Sequence, residues 1–212
     1  GCMGEFSGDF EFERRFFVSA LPHRLLEGSK PDVIVQTYFL AKEGYGLRVR
    51  LQATQTDKEL PLDLGGKEAV EHFLPDFDLC MLTVKGPAAG GTRYEAERPL
   101  DVGVGAQMSM LGGLTLAKRR WAVWLHEDGW NIDQFAGENY PLKVAECERT
   151  SPVTDLTIPS FCTQEITDDL RFSNDELVNA PFSLWGADYL DSLSISTPPF
   201  KEGFGQNKRW RM

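Results

Sequence analysis

Phe10-Glu11-Phe12-Glu13-Arg14-Arg15-Phe16-Phe17-Val18 is rich in aromatic residues, ends on a β-branched one and contains neither Gly nor Pro, so it is predicted to run as a β-strand. Successive side chains of a strand alternate faces. Glu11, Glu13 and Arg15 therefore point one way, and Phe10, Phe12, Arg14 and Phe16 the other. The charged side is the informative one. Alternating charge commonly marks a solvated sheet face, yet two carboxylates on neighbouring same-face positions repel, and that repulsion turns favourable when a cation with oxygen-ligand preference sits between them.

The same period-two pattern recurs outward from this stretch. Strands are predicted at Val33 to Leu40 and Gly46 to Ala53, joined by the turn Lys42-Glu43-Gly44, and in the second of them Arg48 and Arg50 share a face. Further strands are predicted at Leu79 to Lys85, at Thr92 to Arg98 with Arg93, Glu95 and Glu97 on one face, and at Thr115 to Leu125 with Lys118 and Arg120 together. Trp130 to Ala136 carries Asp133. Leu142 to Arg149 carries a second same-face carboxylate pair, Glu146 and Glu148. His126-Glu127-Asp128-Gly129 is the expected hairpin turn between the strands on either side of it, Asp-Gly being a strong short-loop signal. Short helices are expected within Leu62 to Leu74, with Val70, Phe73 and Leu74 at helical spacing, and at Val102 to Leu111 with Met108 and Leu111 packing inward. Thr167 and Asn174 are expected as helix N-caps. About eight strands with short turns favour a mainly β fold, a closed antiparallel eight-stranded barrel with a few short peripheral helices, because closure removes exposed edges.

The totals narrow the function classes. A chain of 212 residues, 42% hydrophobic, can bury one proper core, and its net charge of −10 argues against broad nucleic-acid binding. Cys2, Cys80, Cys147 and Cys162 are scattered without metal-type pairs, and His23, His72 and His126 are isolated from any nucleophile. The glycines at 90 and 91 lack the Gly-Lys-Ser/Thr and helix of a P-loop, and Gly103 and Gly105 lack a dinucleotide fingerprint. No apolar run approaches a membrane span and no secretory pattern is visible, so the expectation is a cytoplasmic protein with no membrane or nucleic-acid partner.

Glu-Phe-Glu-Arg-Arg-Phe-Phe-Val resembles the Glu-x-Glu-x-Lys opening strand of the CYTH superfamily, the triphosphate tunnel metalloenzymes, with Arg15 in place of the usual Lys. Ordered similarities continue through Gly46-Leu47-Arg48-Val49-Arg50, Thr83-Val84-Lys85-Gly86, Lys118 and Arg120, the Glu146-x-Glu148 pair and the closing run Glu165 to Asn174. The resemblance implies a tunnel domain over 10–180, preceded by an arm or cloning remnant at 1–9 and followed by an extension at 181–212. That extension is expected to be largely irregular, around Pro198-Pro199, with Trp185, Tyr189 and Leu190 able to fold back on the barrel.

The resemblance also implies a site. Glu11, Glu13, Asp133, Glu146 and Glu148 would hold one or two Mg²⁺ or Mn²⁺ ions, oxygen-only ligands being unsuited to zinc. Arg48, Arg50, Lys85, Arg93, Lys118 and Arg120 would cradle the phosphates, and Glu11, Glu13, Arg15, Glu146 and Glu148 would carry the chemistry. Hydrolysis of inorganic triphosphate to pyrophosphate and phosphate, by a monomer or homodimer, is the leading expectation; which group activates the water is open. The alternatives are a nucleotide- or thiamine-triphosphate-directed member (triphosphatase or class IV adenylyl cyclase) and a non-catalytic polyphosphate-binding module.

Overall fold

The computed structural model describes residues 9–193 and 199–211. The arm at 1–9 (Asp9 apart), Cys2 and Pro198 fall outside the described residues. β1 (Phe10–Val18) coincides with the predicted stretch. It is followed by β2 (Asp32–Lys42), β3 (Tyr45–Ala53), β4 (Leu79–Lys85), β5 (Thr92–Pro99), β6 (Leu114–Leu125), β7 (Asp128–Phe135) and β8 (Lys143–Arg149). Around the sheet the order is β1-β5-β4-β3-β2-β6-β7-β8, and β8 pairs back onto β1, so eight antiparallel strands close into a barrel. Two short strands, β9 (Thr157–Pro159) and β10 (Cys162–Glu165), follow; β10 extends the wall beside Phe16 to Val18.

Closure at β1 has a particular form. Along one edge its first half, Phe10 to Phe12, pairs with β5 and its second half, Phe16 to Val18, with β10. Between them Glu13 donates its N–H to the Gly91 carbonyl at 2.9 Å. Gly91 has φ +76°, and a Cβ there would lie 2.7 Å from the Glu13 carbonyl oxygen, so the glycine tip of the β4–β5 loop is a fixed support rather than slack. The β6–β7 hairpin turns within the expected segment 126–129, at its first two residues. Leu125 pairs with Asp128 and Trp124 with Gly129, leaving His126 (φ +56°) and Glu127 as the loop and both residues of the Asp-Gly pair inside the ladder.

The barrel is covered outside by helices. α1 (His23–Leu26) follows β1; α2 (Gly66–Phe73) and α3 (Val102–Leu111) lie over β2, β3 and β4, burying Val33, Val35, Val49 and Leu51 against Ala69, Val70, Phe73 and Ala106. Leu74 falls just past α2 and is half exposed. In α3 the inward face is Gly105, Ala106 and Ser109, whereas Met108 and Leu111 face outward. The reason is distance of approach: Gly105 sits against the Cys80 sulfur and Val49, where no larger side chain fits. Asp101 caps α3 by accepting from the Val104 N–H at 2.9 Å.

α4 (Asn174–Leu177) and α5 (Phe182–Ser192) sit over one end of the barrel. There the inward-facing positions change from charged to apolar: Arg15 gives way to Phe17, Lys118 to Leu116, Asp133 to Phe135 and Glu146 to Val144. These four apolar residues pack with Phe172, Leu177, Phe182 and Tyr189 into one cluster. The bore is thereby plugged at that end and polar at the other. Ser173, not Asn174, is the N-cap residue of α4, and Thr167 lies outside any helix. The region after 181 carries α5, with Tyr189 buried and Leu190 half exposed, and β11 (Lys208–Trp210), which pairs in parallel with β9. Among the described residues no helix is long and apolar enough to cross a membrane.

Candidate active site

Strand register delivers most of the predicted charges to one space. Glu13 stands opposite Glu148 and Arg15 opposite Glu146 across the β1–β8 ladder, Glu11 opposite Arg93 across β1–β5, and Arg120 opposite Asp133 across β6–β7. They surround a cavity of about 700 Å³ in the polar end of the barrel. Glu11, Glu13, Arg15, Arg48, Arg50, Lys85, Arg93, Arg120, Glu146 and Glu148 line it, while Lys118 and Asp133 lie buried behind its wall.

The acidic residues divide by partner. Glu11, Glu13 and Glu148 each place a carboxylate oxygen within 4.8 Å of the other two. Burial, then the charges of Glu11 and Glu146, hold the Glu13 carboxyl well above the usual carboxylate range. Burial, then Glu146 and Glu11, push Glu148 up to about 7. Glu11 goes the other way: burial raises it, but the Lys85 ammonium and a hydrogen bond shared with Glu13 outweigh that and hold it low. Glu146 instead faces cations, with Arg120 at 3.0 Å and Arg15 at 3.6 Å. Asp133 stands apart from the triad, clamped between Arg120 (2.7 Å) and Lys118 (2.8 Å), which outweigh its burial and hold it far below the carboxylate range. Its oxygens are engaged there, so it supports Arg120 rather than joining the other three carboxylates.

The basic residues divide in the same way. Arg93 spends its donors on the Gly86 carbonyl (2.5 Å), the Gly44 carbonyl (2.8 Å) and Asp175 (3.1 Å), which ties two hairpins to α4. Lys118, fully buried, donates to Asn174 Oδ1 at 3.3 Å besides its pair with Asp133, and burial brings its pKa down to about 8. Lys85 bridges Glu11 (3.2 Å) and Glu95 (3.5 Å). Arg48 and Arg50 are different. Arg48 donates to the Tyr38 hydroxyl at 3.2 Å, and among the described residues Arg50 pairs only with Glu97 at 3.6 Å. Among the described residues the Nε–H groups of both are buried without a partner, as is Gln36 Oε1.

Buried donors without acceptors are costly, and they are satisfied if an anion occupies the cavity. Three clustered carboxylates, two of them held above the usual range by burial and by neighbouring acids, are likewise relieved by a hard divalent cation. The residue types present therefore fit both groups. Gln36 and Tyr38, on β2 directly opposite Arg50 and Arg48, are lining residues that the sequence reading missed. Extending the period-two argument from β3 to its hairpin partner would have found them.

No family model matches the chain. An inorganic triphosphatase of Acetivibrio thermocellus is 31% identical over 103 residues, a match that spans 48% of this chain and 66% of the relative's own length. The match covers just under two thirds of that relative, and the closed eight-stranded barrel is the fold that the resemblance to the CYTH superfamily implies. Among solved structures, the inorganic triphosphatase NE1496 is similar over 79% of this chain and 93% of its own, at 22% identity and a TM-score of 0.49. The Hippeastrum protein HpAC1, described as having a dominant triphosphatase activity, is similar over 66% of this chain and 80% of its own, at 16% identity and a TM-score of 0.41.

Proposed function

We propose that this protein is a CYTH-type, Mg²⁺- or Mn²⁺-dependent triphosphatase that hydrolyses inorganic triphosphate to pyrophosphate and phosphate. The observation that carries the reading is the pairing, in one cavity, of a three-carboxylate cluster with two arginines whose buried Nε–H groups lack acceptors. The likeness to a triphosphatase over about half the chain supports it. Glu11, Glu13 and Glu148 would hold the cation, which when bound supplies charge neutralisation on the phosphates.

The chain's own part is positioning. Arg48 and Arg50 bind phosphate oxygens bidentately, and Lys85 and Arg120 flank them. Glu146 and Asp133 fix Arg120 so that its guanidinium does not collapse onto the carboxylate cluster. A triphosphate held this way presents its terminal phosphorus to a water approaching opposite the leaving pyrophosphate, the in-line geometry of phosphoryl transfer. The terminal P–O–P bond breaks as the water oxygen bonds to phosphorus.

The test is product analysis with tripolyphosphate, ATP and thiamine triphosphate, each with Mg²⁺, Mn²⁺ or a chelator. Orthophosphate and pyrophosphate in equal amounts from tripolyphosphate, abolished by chelation and reduced at least ~100-fold in Glu146→Gln, are the expected result. Formation of a cyclic nucleotide from ATP would overturn it. Release of phosphate that Glu146→Gln leaves unchanged would trace the activity to a contaminant.

A further inference from the structure

The residue between the two site residues Glu13 and Arg15 is Arg14, whose side chain points out of the barrel and is fully buried. Its guanidinium is bidentate to Glu165, Nε–H to Oε2 at 2.9 Å and Nη2–H to Oε1 at 2.7 Å, with side-chain exposures of 0% and 2%. A buried ion pair is tolerated only when its remaining donors and acceptors are satisfied. Here the segment 199–211 satisfies them. The Lys201 N–H donates to Glu165 Oε1 at 2.8 Å, Asn207 Oδ1 accepts from Arg14 Nη1–H at 2.8 Å, and the Pro199 carbonyl accepts from the Glu165 N–H at 2.7 Å. Asn207 in turn donates to the Lys201 carbonyl at 3.0 Å, and Phe204 stacks on the Arg14 guanidinium 4.6 Å away.

The same carboxylate reaches the site by a second route. Thr167 donates its hydroxyl to Glu165 Oε2 at 2.5 Å and accepts the Arg15 backbone N–H at 3.1 Å. That N–H lies in the gap where β1 has left β5 and not yet met β10, so a side chain stands in for a ladder partner. The Arg15 carbonyl accepts the Ile166 N–H at 2.8 Å on the same edge. Glu165 thus grips β1 from behind at Arg14 and, through Thr167, along its edge at Arg15.

We propose that Glu165, closed over by the segment 199–211, is a positioning residue that fixes the gap region of β1 and with it the spacing of Glu11 and Glu13 toward Glu148. The proposal takes those carboxylates as the cation site and so rests on the functional reading above. It assigns to the segment after α5 a part in cation affinity, although none of its residues lines the cavity.

The experiment compares wild type with Asn207→Ala and Thr167→Val, neither of which strands a buried charge, and with Glu165→Gln. Mn²⁺ alone is titrated calorimetrically, and amide hydrogen exchange is followed at Glu13 to Arg15. Loosening of β1 is expected to weaken Mn²⁺ binding about five- to tenfold and to speed exchange of the Arg15 amide by at least tenfold, in folded protein. Mn²⁺ affinity and Arg15 exchange both at wild-type values in folded Asn207→Ala and Thr167→Val would overturn the proposal. If wild type binds no Mn²⁺, the cation-site reading fails on its own. Arg15 exchange then decides: acceleration in the variants upholds the grip on β1, and wild-type rates remove it.

Discussion

At the residue scale the cavity separates side chains that look alike in the sequence. Arg48 and Arg93 are both buried arginines on inward faces, but Arg48 keeps a donor unpaired while Arg93 has its Nε, Nη1 and Nη2 groups in bonds to Gly86, Asp175 and Gly44. Replacing them should have opposite signatures. Arg48→Ala or Arg50→Ala removes a charge-assisted bond of about 1.5–3 kcal/mol to bound phosphate, so KM for tripolyphosphate is expected to rise about 10- to 100-fold. The melting temperature should fall little, because each guanidinium holds few internal partners. Arg93→Gln leaves the Asp175 carboxylate buried without its cation, at roughly 3 kcal/mol or more. That is a drop of at least about 6 °C at this size, with KM in the folded protein changed less than about threefold. Steady-state kinetics and thermal melts on the same preparations separate the two cases.

At the element scale, what the sequence disclosed depended on whether the deciding contact is local. β1 was legible residue for residue because alternation is a property of the strand itself, and the two carboxylate pairs at 11/13 and 146/148 follow from the same period. The partner of Arg14 was not, since Glu165 is 151 positions away and nothing near Arg14 announces it. α3 was placed correctly and faced wrongly. Its sequence, Val-Gly-Val-Gly-Ala-Gln-Met-Ser-Met-Leu, has apolar residues on every side, so periodicity selects no face. The small-residue stripe Gly105, Ala106, Ser109 wins because the helix axis must approach Cys80 and Val49 closely. Gly105→Ala tests this. Alanine gains about 1 kcal/mol of helix propensity, but overpacking against the Cys80 sulfur costs about 1–3 kcal/mol, so net destabilisation is expected in chemical denaturation. Adding Cys80→Ala should recover most of the loss and leave the propensity gain; a stabilised Gly105→Ala single variant would show that α3 can lift without cost.

At the scale of the whole molecule, the barrel holds two carboxyls, Glu13 and Glu148, that burial and neighbouring acids keep above the usual range, and stability should report it. A carboxyl raised in the folded state binds more protons folded than unfolded between its unfolded and folded pKa values, so stability falls as pH rises through that window. Glu148, raised to about 7, and Glu13, also raised, set the sign between about pH 5 and 7.5. Asp133 and Glu11 are shifted down, so their contribution is already complete above pH 5, and Lys118, lowered to about 8, adds a change only in more alkaline solution. The cation-free protein is therefore expected to melt a few °C lower at pH 7.5 than at pH 5.5. Mg²⁺ competes with protons for the same oxygens, so its stabilising increment should be larger at pH 7.5 than at pH 5.5 and should vanish with chelator. Melts across this pH range, with and without Mg²⁺, check both signs at once. A cation-free protein that gains stability toward pH 7.5 would mean that Glu13 and Glu148 are not buried and crowded by neighbouring carboxylates in solution as the β1–β8 register places them.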